Sequence, residues 1–273
     1  MSPNHEFSML TFMQRLTFAL LFAFGNLAFA QSQSTYEPTV GQEGKDVVWV
    51  PTPQSLVNKM LDMARLTPQD FHMDLGSGDG RTVITAAKRG ARSMGIEYNP
   101  DMVELARRNA QKEGVTERAT FVKADLFETD FSKATVITLF LLPDINLRLR
   151  PKILDMKPGT RIVSNTFTMG DWKADEIASA DNGCESSWCT ALLWIVPAKV
   201  AGSYKTPQGD VTLKQEFQML SGTLQADGKT FALQGRVRGE AISFSAGGKS
   251  YQGKLNGKQL ELQTGTTVRG LRG

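Results

Sequence analysis

The sequence predicts an α/β fold, a doubly wound sheet followed by a small antiparallel β module. Three observations carry this. Short apolar strands alternate with helical stripes in units of about 30 residues from Phe71 onward. A glycine-rich turn, Gly76-Ser77-Gly78-Asp79-Gly80, follows directly on the first of those strands. Near residue 200 the period changes from helical to alternating, with turn signals at Asp227-Gly228, Gly247-Gly248 and Asn256-Gly257.

Taken in order, Arg15 precedes an apolar run, Leu16 to Phe29, and Ala28-Phe29-Ala30 then offers a small-residue cleavage pattern. This is the layout of a secretory signal peptide over residues 1–30. The run is short of the ~20 residues that span a bilayer, and an uncleaved membrane anchor is the alternative. Met9 and Met13 also leave room for a later start, which would make the protein cytoplasmic rather than exported or anchored. Residues 31–48 are polar and read as a linker, and 49–200 as the α/β domain. In Val50-Pro51-Thr52-Pro53, Thr52 is expected to cap a helix that Pro53 begins, with Leu56, Val57, Met60, Leu61 and Ala64 on its buried stripe. Phe71 to Leu75 is a buried strand, Arg81 to Lys88 a helix, and Ser93 to Glu97 a second strand. Asn99-Pro100 starts another helix, which Gly114 ends. Ala119 to Lys123, Val136 to Leu142, Arg161 to Thr166 and Leu192 to Val196 are further strands. Residues 201–273 read as an antiparallel meander or partial barrel.

Composition narrows the chemistry. A formal net charge of +3 over 273 residues does not argue for nucleic acid or an anionic membrane as partner. Beyond residue 30 there is one histidine, His72, inside a core strand, and two cysteines, Cys184 and Cys189. No zinc-type ligand set is available, and a Ser-His-Asp triad would have to use His72. The two cysteines are a closed small loop in an oxidising compartment and two thiols in a reducing one.

The glycine turn reads Asp74-Leu75-Gly76-Ser77-Gly78-Asp79-Gly80. A dinucleotide site wants G-x-G-x-x-G, which would put the third glycine at position 81, where Arg81 stands. Asp79 beside a pyrophosphate would cost on the order of 1–4 kcal/mol in like-charge repulsion. A cationic, phosphate-free nucleoside removes the conflict: S-adenosylmethionine has an ammonium and a sulfonium for Asp74 and Asp79, while glycines let its amino-acid end approach the backbone. Glu97, at the end of the second strand, suits the ribose hydroxyls. Asp125, after the third, suits the adenine amino group, with Leu126 packing on the ring.

With these residues in place, the chain resembles the class I, seven-β-strand methyltransferases, a Rossmann-like family. More narrowly it resembles the mitochondrial protein-lysine methyltransferases that modify the adenine nucleotide translocase and the c-ring protein of ATP synthase, together with their bacterial relatives. The resemblance spans roughly residues 48–175 and rests on VPTP (50–53), DLGSGDGR (74–81), GIEYNP (95–100), ADLF (124–127), FLLP (140–143), and IVSNTF (162–167) with Trp172. It implies cofactor contacts from Asp74, Gly76, Ser77, Gly78, Glu97 and Asp125, with Thr52 and Pro53 over the pocket. Phe140 to Asp144 would border the methyl-transfer site, and Asp144 could hold or deprotonate an amine or cap the helix after Pro143. The implied substrate is a protein lysine, with membrane association suggested by the hydrophobic leaders of those relatives. Residues 201–273 have no counterpart in the eukaryotic members. Export would separate the domain from cytoplasmic S-adenosylmethionine, so a cell-envelope binding protein with an idle methyltransferase-like domain is the competing reading, beside a small-molecule methyltransferase.

Overall fold

The computed structural model describes residues 36–180, 183–184 and 187–265. The segment expected to be a signal peptide or anchor, residues 1–30, lies outside the described residues. Among the described residues no helix is long and apolar enough to cross a membrane.

The elements run α1 (Gln54–Met63), β1 (Phe71–Leu75), α2 (Arg81–Lys88), β2 (Arg92–Glu97), α3 (Pro100–Lys112), β3 (Ala119–Lys123), β4 (Val136–Leu139), α4 (Pro143–Leu154), β5 (Arg161–Asn165), β6 (Glu176–Ser179) and β7 (Thr190–Ile195). They build a seven-stranded sheet in the order β3-β2-β1-β4-β5-β7-β6. β1 to β5 are parallel, and β7 runs antiparallel to both β5 and β6. Successive strands are added outward from β1, β2 and β3 on one side and β4 and β5 on the other, so the winding reverses beside β1. Ligands of such sheets bind at that crevice, beyond the strand C-termini.

Alternation along each strand sorts the two faces. Met73, Leu75, Ile96, Ile137 and Leu139 pack with Ile145 and Leu149 of α4. On the opposite face Val83, Val103 and Ala106 of α2 and α3 cover Phe121 of β3, while Leu56 and Met60 of α1 cover Val136 and Val163. α3 starts as expected, Asn99 accepting the Asp101 N–H at 2.9 Å with Pro100 at the first turn. α1 does not. Pro53 occupies the cap position without a side-chain bond, and the Thr52 hydroxyl instead receives Asn165 Nδ2 at 3.4 Å. The strand expected over 136–142 stops at Leu139, because Pro143 opens α4 after only three further residues.

Gly95 lies in β2 where Ser77 and Phe121 close on it. A Cβ there would fall 2.5 Å from Ser77 Oγ and 2.7 Å from Phe121 Cδ1. Gly95→Ala is therefore expected to overpack the junction of sheet and loop and cost ~1–3 kcal/mol, read as a lowered urea midpoint with unchanged slope.

The second sheet holds β8 (Gly202–Thr206), β9 (Gly209–Glu216), β10 (Met219–Ala226), β11 (Lys229–Arg238), β12 (Ala241–Ala246), β13 (Lys249–Asn256) and β14 (Gln259–Gly265), paired in chain order as an antiparallel meander. Gln208, in the turn after β8, donates to Leu262 O of β14 at 3.2 Å, so the two edges approach each other around a core that includes Val211, Leu233, Val237 and Phe244. The meander is fastened to the α/β layer. Phe217 stacks on Trp172 at 6.1 Å, Gln218 Nε2 donates to Lys173 O at 2.8 Å, and Arg236 pairs with the buried Asp175.

Candidate functional site

A cavity of about 520 Å³ opens where the C-terminal ends of β1, β2 and β4 meet. Of the residues singled out from the sequence, Thr52, Asp74, Gly76, Ser77, Gly78, Asp79, Glu97, Asp125 and Leu126 all line it. Asp144 does not. It is exposed on the first turn of α4, where Pro143 has already turned the chain into a helix and a carboxylate complements the helix N-terminus. An amine-handling role for Asp144 finds no support in this placement.

The loop between β1 and α2 is bent by positive φ at Gly76 (79°), Gly78 (51°) and Gly80 (84°). Its amides are used internally. Gly76 and Ser77 donate to Ile96 O at 2.9 and 3.0 Å, Gly80 to Ser77 O at 2.9 Å, and Gly78 to Glu97 Oε2 at 2.9 Å. A phosphate cradle turns such amides outward to the anion; here these four are turned inward. Glu97 also accepts the Asn99 N–H through Oε1 at 2.9 Å, so both oxygens are oriented by backbone while keeping lone pairs to spare.

The charges in the cavity point the same way. Among the described residues six carboxylates line it (Glu43, Asp46, Asp74, Asp79, Glu97, Asp125), against the two cations Lys45 and Arg81. Both cations are paired. Arg81 grips Asp79 through Nε at 3.1 Å and Nη2 at 2.6 Å while its Nη1 reaches Thr52 O at 3.0 Å. Lys45 pairs with Asp125, whose other oxygen accepts the Phe127 N–H at 2.8 Å. The Lys45 contact holds the Asp125 carboxyl below the usual carboxylate range. Asp79 therefore enters the cavity with its charge already matched by Arg81, and Asp74 and Glu97 are left as the acids at the strand ends.

Asp74 is buried, and that burial raises its pKa to about 7. Asp79 and Glu97 add to the rise, while hydroxyls of Thr138 and Thr82 oppose it. The Thr138 hydroxyl donates to Asp74 Oδ1 at 2.6 Å. Its oxygen is then the acceptor for His72 Nε2 at 2.8 Å, which leaves His72 Nδ1 to accept from Ser93 Oγ at 2.6 Å. Burial lowers the His72 pKa to about 3, so this imidazole is neutral and structural, a spacer across β2, β1 and β4.

Sequence reasoning missed the strap over the cavity. Residues expected to be linker fold into a hairpin, with Gly41 N–H to Trp49 O and Trp49 N–H to Gln42 O, both 2.9 Å, and its tip from Gln42 to Val48 lines the site. A Cβ on Gly78 would fall 2.7 Å from Trp49 Nε1, so the strap lies directly on the glycine loop. It also missed Phe167 and Trp188, which line the cavity with Phe140. Cys184 and Cys189 form a disulfide. Among the described residues there is no group of three or more His, Cys, Asp or Glu placed to hold a metal ion.

S-adenosylmethionine fits these residues. The three glycines leave the loop bare beneath the strap, Ser77 Oγ is buried with no partner among the described residues, and the carboxylates suit a ligand that bears cations and hydroxyls without phosphate.

The comparisons agree. A family model described as the ANTKMT methyltransferase domain matches residues 74–176. A protein-lysine N-methyltransferase of Saccharolobus islandicus is 44% identical over 140 residues, covering 50% of this chain and 87% of that protein. The mouse adenine nucleotide translocase lysine N-methyltransferase is 32% identical over 134 residues, covering 48% of this chain and 57% of that protein. A solved structure described as an RNA methyltransferase from Salinibacter ruber, in complex with S-adenosyl-L-homocysteine, is 44% identical with a TM-score of 0.51, covering 55% of this chain and 96% of that one.

Proposed function

Because the chain belongs to the ANTKMT family of S-adenosylmethionine-dependent methyltransferases, we propose that it methylates the side-chain amine of lysine in a protein substrate. The observation that carries this is the acid-lined cavity whose glycine-loop amides are turned inward, a site built for cationic ligands. The names of the relatives from Saccharolobus islandicus and mouse support lysine as acceptor.

When bound, S-adenosylmethionine supplies a methyl group on a sulfonium, and its in-line transfer forms a C–N bond on a neutral amine as the S–C bond breaks. The chain's part is to bind, align and exclude water. Glu97 takes the ribose hydroxyls on lone pairs left beside its two backbone bonds. Asp125 and Leu126 hold the adenine, Asp125 exchanging Lys45 for the ring's amino group. Asp74, with Gly76, Ser77 and Gly78 beside it, takes the ammonium end. Asp79 stiffens the loop through Arg81 and Thr52 instead of meeting the ligand's charge alone. The apolar rim of Leu141, Leu142 and Ile145 favours loss of a proton from the incoming lysine, since burial disfavours the charged amine.

Asp74 gives this reading a pH signature. A carboxyl whose folded pKa of about 7 lies above its unfolded value of 3.8 binds protons better when folded, so its contribution to ligand-free stability falls as pH rises between those values. Cofactor binding runs the other way, because the ammonium needs the ionised form. The affinity for S-adenosylhomocysteine, which keeps that ammonium, is expected to rise about tenfold from pH 6 to pH 8. Calorimetry at both pH values should show this dependence in the parent and not in Asp74→Asn.

The N-terminal segment 1–30 we read as an export signal or anchor; the Cys184–Cys189 disulfide suits an oxidising compartment, in which the domain would need S-adenosylmethionine supplied from the cytoplasm.

The direct test is incubation with methyl-labelled S-adenosylmethionine and poly-L-lysine, or with total RNA in a parallel arm, followed by hydrolysis and chromatography. Label in methylated lysine is the expected result. Label in nucleosides alone would replace the lysine reading with a nucleic-acid one.

A further inference from the structure

We propose that Phe140, Phe167 and Trp188 form the seat for the substrate's alkylammonium chain, and that the Cys184–Cys189 disulfide, adjacent to Trp188, holds that ring in place as its outer wall. The inference rests on the lysine reading and names the surface that would select that side chain.

The three rings form a contiguous cluster. Phe140 and Phe167 stack at 5.9 Å, Trp188 meets Phe167 at 5.2 Å and Phe140 at 6.0 Å, and all three line the cavity. Each comes from a different part of the chain. Phe140 directly follows β4, on the way to Leu141 and Leu142. Phe167 follows β5 through Thr166, which has φ of 59°, a left-handed conformation unfavourable for a β-branched residue. That bend is enforced from both sides. Thr166 N–H donates to Thr190 O at 2.7 Å, Phe167 N–H to Asn165 O at 2.6 Å, and the Thr166 hydroxyl to Asn165 Oδ1 at 2.9 Å. Strain held this firmly beside a cavity, and aiming an aromatic ring into it, marks a position built for a ligand.

Trp188 lies beyond residue 176, where the family match ends, and just before β7. Its immediate neighbour Cys189 is bonded to Cys184. A lysine side chain is four methylenes with a cation at the tip. Aromatic faces accept both parts on entry, the stem by contact and the ammonium through the ring quadrupole within ~6 Å of a ring centroid, before the amine gives up its proton for transfer. The acidic lining of the same cavity adds long-range attraction for the cation.

The probe is n-butylammonium, with 1-butanol as its uncharged isostere, titrated into the full chain carrying 15N-labelled tryptophan. Trp188→Phe assigns the Trp188 indole signal by its disappearance. In the parent, butylammonium is expected to shift that signal saturably. Phe167→Leu keeps bulk but removes an aromatic face, and should raise the midpoint about tenfold. Cys184→Ser combined with Cys189→Ser should raise it in the same direction, and thermal melting verifies that each variant is folded. No saturable shift in the parent, or an equal response to 1-butanol, overturns the seat. An unchanged midpoint in the double serine variant overturns the role of the disulfide. Saturable butylammonium binding without methyl transfer to poly-L-lysine would overturn the lysine reading alone and leave the seat standing.

Discussion

Glu97→Ala is expected to weaken binding of S-adenosylhomocysteine by about 10²-fold or more. The side chain works on both of its faces. Oε2 and Oε1 receive the Gly78 and Asn99 amides at 2.9 Å each, which ties the glycine loop to the start of α3. The same oxygens retain lone pairs for two ribose hydroxyls, and hydrogen bonds to a charged acceptor are each worth ~1.5–3 kcal/mol. Alanine removes the ligand bonds and leaves two amides without their acceptor. Glu97→Gln keeps one carbonyl oxygen and should fall between parent and alanine. Calorimetry reads the series, and an alanine variant that binds like the parent would remove Glu97 from the ribose.

Arg236→Ala is expected to destabilise the fold by ~2–3 kcal/mol, although it lies in the second sheet. Asp175 has a side chain with 0% exposure and depends on Arg236 and the Ile195 N–H at 2.8 Å. Without the guanidinium the carboxylate stays buried with one partner. The figure is kept below that of a fully buried pair because Arg236 is itself 43% exposed. The neighbouring pair, Arg238 with Glu176, is 42% and 41% exposed, so Arg238→Ala should cost under ~1 kcal/mol. Chemical denaturation of both variants tests the contrast. Equal effects would mean that the meander is a passive appendage. A sizeable effect of Arg236 alone would place it, together with Phe217 against Trp172, among the supports of the α/β layer. Arg150 of α4 lies 5.2 Å over the Phe217 ring, so the same support reaches the helix whose first turn rims the cavity.

The parts of this molecule legible in its sequence are those set by local chemistry. The glycine loop, the Asn99-Pro100 helix start and the Asp227-Gly228 and Gly247-Gly248 turns, with both residues of each at positive φ, are written in neighbouring residues. The turn at Phe217 was not legible, because a phenylalanine at φ of 50° has no turn signature; what it gains is a place against Trp172. β6 was missed since its half-exposed residues Glu176–Ser179 lack an apolar run. The four strand-end and loop acids could be located from spacing, but their counterions could not. Arg81 stands two residues from Asp79, yet its side chain must fold back to grip it, while Lys45 reaches Asp125 from eighty residues away. The strap failed for the same reason, as a polar stretch becomes a cover only when the cavity beneath it exists. Asp144 shows the limit of adjacency: its place beside the FLLP motif does not fix its orientation, and it stands exposed on the first turn of α4.

The most direct test of the central claim, that this cavity selects a cationic nucleoside without phosphate, is paired calorimetry of S-adenosylmethionine and NAD on the full chain. Saturable binding of S-adenosylmethionine at one site, with no heat from NAD at the same concentrations, is the predicted result. Binding of NAD in preference to S-adenosylmethionine would contradict it.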